Sequence, residues 1–156
     1  SRVVQKIFYT DEDACRFADW SIDPQHGFIY LFGSAMGTDM GYRKYRMPKL
    51  SDSDENGEVH ISRKDLIEEY DLKDILIAQG NHTRGRYAWF PDGGGTWYPR
   101  KLHKFDLKTG QMARTWDISN ISFEPEDIEF RGRTVYLQDY TGEGPRKAKI
   151  FKIRVK

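Results

Sequence analysis

The sequence predicts an all-β chain built from repeated antiparallel sheets. Three observations carry that prediction: short apolar runs that alternate rather than recur at helical spacing, a glycine at the head of three of them, and spacings between those glycines that a second set of anchor residues nearly reproduces. Gly27-Phe28-Ile29-Tyr30-Leu31-Phe32 follows the turn signal Asp23-Pro24-Gln25-His26, and Gly85-Arg86-Tyr87-Ala88-Trp89-Phe90 and Gly132-Arg133-Thr134-Val135-Tyr136-Leu137 repeat the arrangement. Each glycine is preceded by His26, Arg84 or Arg131. A tight turn that needs a positive φ explains glycine at all three places.

The elements follow in order. Residues 2–10 read as a strand. Residues 15–22, 27–32, 42–47 and 59–62 read as four successive strands, the last of them outermost. Ser51-Asp52-Ser53-Asp54-Glu55-Asn56-Gly57 is a polar loop, and 63–72 is a short charged connector with helical character. Residues 75–80, 85–90, 102–107 and 112–119 form the second set, with Lys108-Thr109-Gly110 as the hairpin turn before its outer strand. Residues 123–130, 132–137 and 149–155 form the third. The glycines lie 58 and 47 residues apart; the central aromatics Tyr45, Phe105 and Phe151 of the second strands lie 60 and 46 apart. Two independent anchors thus give nearly the same period.

Four strands in roughly 45 residues is the content of one β-propeller blade. The fold class expected is therefore a partial β-propeller of about three four-stranded blades, at 11–62, 75–119 and 123–156. Residues 1–10 would be the outer strand of a preceding blade, and 1–156 one domain. A β-sandwich competes, since many short strands with turn signals fit it too. Three blades do not encircle an axis. The expected partners are therefore missing N-terminal blades of the same protein, which would make this the C-terminal half of a six-bladed ring, or a second copy closing the ring by two-fold symmetry.

Composition narrows the function. The 156 residues carry 25 Lys+Arg against 24 Asp+Glu, a net charge of +1, which argues against a coat for nucleic acid or an anionic membrane. Aromatics at 14% argue against disorder. No apolar run approaches the roughly 18–20 residues of a membrane helix. The single cysteine, Cys15, excludes an internal disulfide framework and a zinc site of several thiolates. Residues 1–10 do not read as a secretory leader. Asn81-His82-Thr83 and Asn120-Ile121-Ser122 match the glycosylation pattern, a short and common one.

Four spaced motifs carry a family resemblance: Asp65-Leu66-Ile67, Gln79-Gly80, Leu107-Lys108-Thr109-Gly110 and Glu124-Pro125-Glu126-Asp127-Ile128. Over about residues 3–156 the chain resembles the six-bladed β-propeller proteins of Bacteroidetes, some of them described as similar to teichoic acid biosynthesis protein C. In that family the Glu-Pro-Glu box usually continues with Gly; here it continues with Asp127. The resemblance implies a six-bladed ring and an extracytoplasmic location, periplasmic, surface or secreted. It implies the fold more than the activity.

In a propeller, polar residues at the ends of the innermost strands face the channel rim. Three equivalent corners offer them: Ala18-Asp19-Trp20, Gln79-Gly80-Asn81-His82 and Glu124-Pro125-Glu126-Asp127. The candidate ligand-binding residues are therefore Asp19, Trp20, Gln79, Asn81, His82, Glu124, Glu126 and Asp127, with Trp97 from the loop Asp92-Gly93-Gly94-Gly95-Thr96-Trp97-Tyr98-Pro99 as a lip. An aromatic face for stacking plus carboxylates and amides for hydroxyls suits a sugar. Each residue also has a plainer reading: a packing indole and turn cap for Trp20 and Asp19, an inter-blade hydrogen bond for His82, solvated carboxylates for Glu124 and Glu126, and a packed hairpin for the glycine loop. That loop has no Lys-Ser/Thr and opens no helix, so it is not a phosphate loop. His26, His60 and His103 show no metal-ligand spacing, and no cofactor is expected. No catalytic residues are assigned. The function expected is a non-enzymatic module binding a glycan or protein partner at the channel rim. The alternatives are a sugar-polymer hydrolase or lyase using Glu124, Glu126 and Asp127, and a structural interaction domain.

Overall fold

The computed structural model describes residues 2–10, 19–33, 40–72, 75, 78–94, 96–121, 124–140 and 148–154. Expectations about Cys15, Ala18, Gly95, Ser122, Phe123 and Val155 lie outside those residues. The described residues are all-β, with two short 3-10 turns and no α-helix, and their strands form open sheets. The chain divides into two compact units, residues 1–71 and 72–156.

The first unit holds β1 (Lys6–Tyr9), β2 (Asp19–Asp23), β3 (Phe28–Gly33), β4 (Gly41–Arg46), β5 (Glu58–Ile61) and β6 (Glu68–Asp71). Strands β2-β3-β4-β6 form an antiparallel sheet in that order. The central strand β3 is buried on both faces. Ile29 and Leu31 join Tyr45 and Ile61 in one hydrophobic cluster, while Tyr30 and Phe32 on the other face pack against the Tyr42 ring at 5.1 and 6.1 Å.

Two expectations are corrected here. The segment 59–62 is not the outer strand of this sheet: β5 pairs in parallel with β1, the strand expected from 2–10. The register Ile7↔Val59 and Tyr9↔Ile61 lines four apolar side chains on one face, and that face packs against the β2-β3-β4 cluster. The outer position belongs to β6, inside the segment expected as a helical connector. Only Arg63–Asp65 is helical, a 3-10 turn in which the Ser62 hydroxyl accepts from the Lys64 amide and the Asp65 carboxylate from the Ser62 amide. Beyond it the charges pair across strands: Arg43 Nε lies 2.7 Å from Glu69 Oε1, and Lys44 Nζ lies 3.5 Å from Glu68 Oε2.

The second unit holds β7 (His82–Arg84), β8 (Tyr87–Asp92), β9 (Lys101–Asp106), β10 (Gln111–Asp117), β11 (Glu124–Arg131), β12 (Thr134–Tyr140) and β13 (Ala148–Arg154). They form an antiparallel sheet β7-β8-β9-β10 and a second one, β11-β12-β13. One cluster of Trp89, Leu102, Ile118, Ile128, Val135 and Leu137 is shared by the two sheets, with Trp116, Phe130, Phe151 and Ile153 packed on it. The innermost strand expected at 75–80 is found later, at 82–84. Of the described residues in 75–80, only Ala78 makes a β-bridge, to Asp92 at the end of β8. Gly27, Gly85 and Gly132 take φ of 72°, 58° and 62°, and Gly110 of the hairpin turn takes 66°.

Candidate functional site

Three strand ends meet at one corner of the second unit. The Ala78–Asp92 bridge lays residues 78–80 beside the end of β8. Gly80 then sits so close to β11 that an added Cβ would lie 2.6 Å from the Glu126 carbonyl oxygen and 2.7 Å from Asp127 Cα. On that contact Gln79 Nε2 donates to Glu124 Oε1 at 3.2 Å. The Glu124 amide in turn donates to Asp139 Oδ1 at 2.9 Å, from the end of β12. Between Pro125 and Asp127 the β11–β12 register shifts, so Glu126 occupies a β-bulge with Pro125 buried beside it. Bulges of this kind re-aim a side chain at a sheet end.

The electrostatics follow from that crowding. Burial first, then the charges of Glu124 and Asp139, push the Glu126 carboxyl above its usual range. Three carboxylates thus share one corner, and the Gln79 amide is the neutral donor among them. The glycine loop borders the same corner: Gly94 lies beside the Glu124 side chain, with its added-Cβ position 3.6 Å from Oε1. Gly93, at φ 102°, faces the Pro99 carbonyl. The root of the loop is fixed by Asp92, whose Oδ2 lies 3.3 Å from Nε2 of the buried His103; the Nδ1 of that ring lies 2.9 Å from Thr115 Oγ1. The loop itself carries Trp97, 87% exposed, and Tyr98, 42% exposed.

Of the residues expected from the sequence, Gln79, Glu124 and Glu126 are brought together. The Asp127 side chain lies against Gly80, and its Oδ1 accepts from the Ile128 amide at 2.7 Å. Asn81 is buried beside them in sequence. His82 turns to other partners: its Nδ1 is 3.2 Å from Glu129 Oε1 and its ring 5.2 Å from Phe130. Burial, with the Arg84 charge, holds His82 below its usual range. Asp19 and Trp20 belong to the first unit. There Asp19 Oδ1 accepts from the Trp20 amide at 2.8 Å, and the indole packs on the core cluster. Asp139 was not among the sequence candidates. Its signal was a carboxylate at the end of an apolar strand, cross-strand from Pro125.

The first unit offers one further cluster. Asp54, Glu58 and His60 bring their ligand atoms within 4.8 Å of one another. Asp54 Oδ1 accepts from the Asn56 and Glu58 amides, both at 2.9 Å, which stabilises the turn and holds the Asp54 carboxyl below its usual range. Lys6 Nζ lies 2.8 Å from Glu58 Oε1, so an ammonium already balances the charge. The set holds two carboxylates and a single histidine, so it carries no paired-histidine spacing in the sequence. No helix among the described residues is long and apolar enough to cross a membrane. No protein-family model and no curated protein matches the chain.

Proposed function

We propose that the chain is part of a β-propeller, and that the corner formed by Gln79, Glu124, Glu126 and Asp139 binds a glycan. The protein would then be a non-enzymatic binding module, extracytoplasmic by resemblance. Further blades of the same protein or a second copy would complete its ring. The blade reading is supported by the strand order, since three sheets each run in chain order from one edge to the other.

One observation carries the glycan reading. Acceptor carboxylates and a donor amide converge where a loop bearing an exposed indole and phenol begins. Sugars need both surfaces: hydroxyls pair with carboxylates and amides, and the C–H face stacks on an aromatic ring. The test is binding on a glycan array, followed by titration of the best oligosaccharide. Trp97→Ala and Glu124→Gln should each weaken binding about tenfold, the scale of one lost hydrogen bond or stacking contact. Trp97→Ala should leave the fold intact, because that side chain is almost fully exposed. No glycan binding, or binding unchanged in both variants, would count against the site.

The raised carboxyl of Glu126 beside Glu124 favours a second reading, a hydrolase or lyase acting on a sugar polymer. Turnover of a bound polymer, abolished in Glu126→Gln while binding persists, would replace the first reading with this one.

A further inference from the structure

Sequence and structure both single out a repeated Arg-Gly-Arg turn that the glycan corner does not use. Arg84-Gly85-Arg86 joins β7 to β8, and Arg131-Gly132-Arg133 joins β11 to β12. The two turns are linked, since Arg84 Nη1 donates to the Gly132 carbonyl. Between them lies a cleft of about 300 Å³ lined by Arg84, Lys104, Arg133, Tyr87, Trp89 and Phe130. Three cations line it and no carboxylate does. The nearby acids are engaged elsewhere: Asp106 with Arg86, and Glu129 with His82. Among the described residues, Arg84, Lys104 and Arg133 make no ion pair. Lys104 is held instead over aromatic rings, its Nζ 3.8 Å from the Tyr87 centroid and 5.2 Å from that of Trp89.

Like charges gathered around one concavity repel each other, and an anion in the cleft relieves that repulsion. The aromatic floor excludes water on one side, which strengthens charge-assisted hydrogen bonds to a bound oxyanion. We infer that this cleft binds a sulfate or phosphate monoester group through Arg84, Lys104 and Arg133. The strand β11 runs from Glu124 at the acidic corner to Arg131 at this turn, roughly 25 Å at about 3.4 Å per residue. The two sites are therefore separate, and this inference does not depend on the glycan reading.

Calorimetric titration of the protein with a sulfated dextran oligosaccharide, a phosphorylated dextran oligosaccharide of the same length and degree of substitution, and the unsulfated, unphosphorylated dextran tests it. Arg133→Gln and Lys104→Gln should each weaken anion binding about tenfold. Arg131→Gln, which removes an equal charge outside the cleft, should change it less than twofold. Arg133→Lys, which retains the charge, should stay within about threefold of the parent and serves if the Gln variant misfolds. Binding of either anion with this pattern supports the site, and the preferred one shows whether sulfate or phosphate esters are its ligands. Binding of neither, binding of the unsulfated, unphosphorylated dextran to the same extent, or equal losses in Arg131→Gln and Arg133→Gln would overturn it.

Discussion

Gly93 leaves no room for any side chain. Its φ of 102° is left-handed, and a Cβ there would meet the Pro99 carbonyl oxygen at 2.1 Å. Alanine must therefore both strain the backbone and push residues 99–100 aside, which costs roughly 3 kcal/mol. Urea unfolding should show that loss in Gly93→Ala, and weakened ligand binding should accompany it because the loop beside Glu124 would shift. Glu126 acts with the opposite sign. Its folded-state pKa lies above the ordinary 4.5, so the native state holds the proton more tightly than the unfolded chain. At neutral pH the carboxylate works against folding, and that effect fades as the pH falls through the raised folded-state value and is gone below 4.5. Glu126→Gln should therefore raise the melting temperature at pH 7 and leave it unchanged at pH 3. No rise at pH 7 would mean that the carboxylates are too well solvated to repel each other.

Turns and strands differ in how much of their cause is local. Gly27, Gly85 and Gly132 were legible because chirality alone restricts their conformation. No atom lies within 4 Å of a Cβ added at any of the three, so substitution there tests backbone strain with no steric contribution. Gly85→Ala should cost about 1–2 kcal/mol, and Gly85→Asn clearly less, because asparagine tolerates the left-handed region. Equal losses in the two variants would show that something other than φ selects glycine. Strand partners were less legible. The alternation in 59–62 announces a strand but not its neighbour; the choice of β1 over β4 comes from Ile7 and Tyr9, fifty residues away in sequence. The acidic Glu68-Glu69 pair looks like a helical connector until Arg43 and Lys44 are placed across from it. The site followed the same rule. Gln79 and Glu124 stand in quoted motifs, whereas Asp139 enters through a cross-strand register that only the fold supplies.

At the scale of the molecule, a net charge of +1 conceals separated charge. Carboxylates gather at one end of β11 and guanidinium groups at the other, an arrangement that composition does not reveal. Their titration sets the response of the fold to acid. Burial and Arg84 hold His82 below its ordinary 6.5, so the unfolded chain takes up that proton first and stability falls as the pH drops below 6.5. Asp106 responds later. The Arg86 guanidinium holds its carboxyl down at about 2, so the stability it lends is complete above 3.8 and is lost as the pH falls toward 2. The melting temperature should therefore decline in two stages, one below 6.5 and a steeper one below 4. Glu126 partly offsets the interval between them, because its sign is reversed. His82→Gln should abolish the first stage and keep the second. Arg86→Gln should keep the first and flatten the second, because Asp106 then titrates at nearly the same pH folded and unfolded. Melting curves from pH 8 to 2 on the parent and both variants decide it: a first stage that survives in His82→Gln would mean that another group takes up that proton.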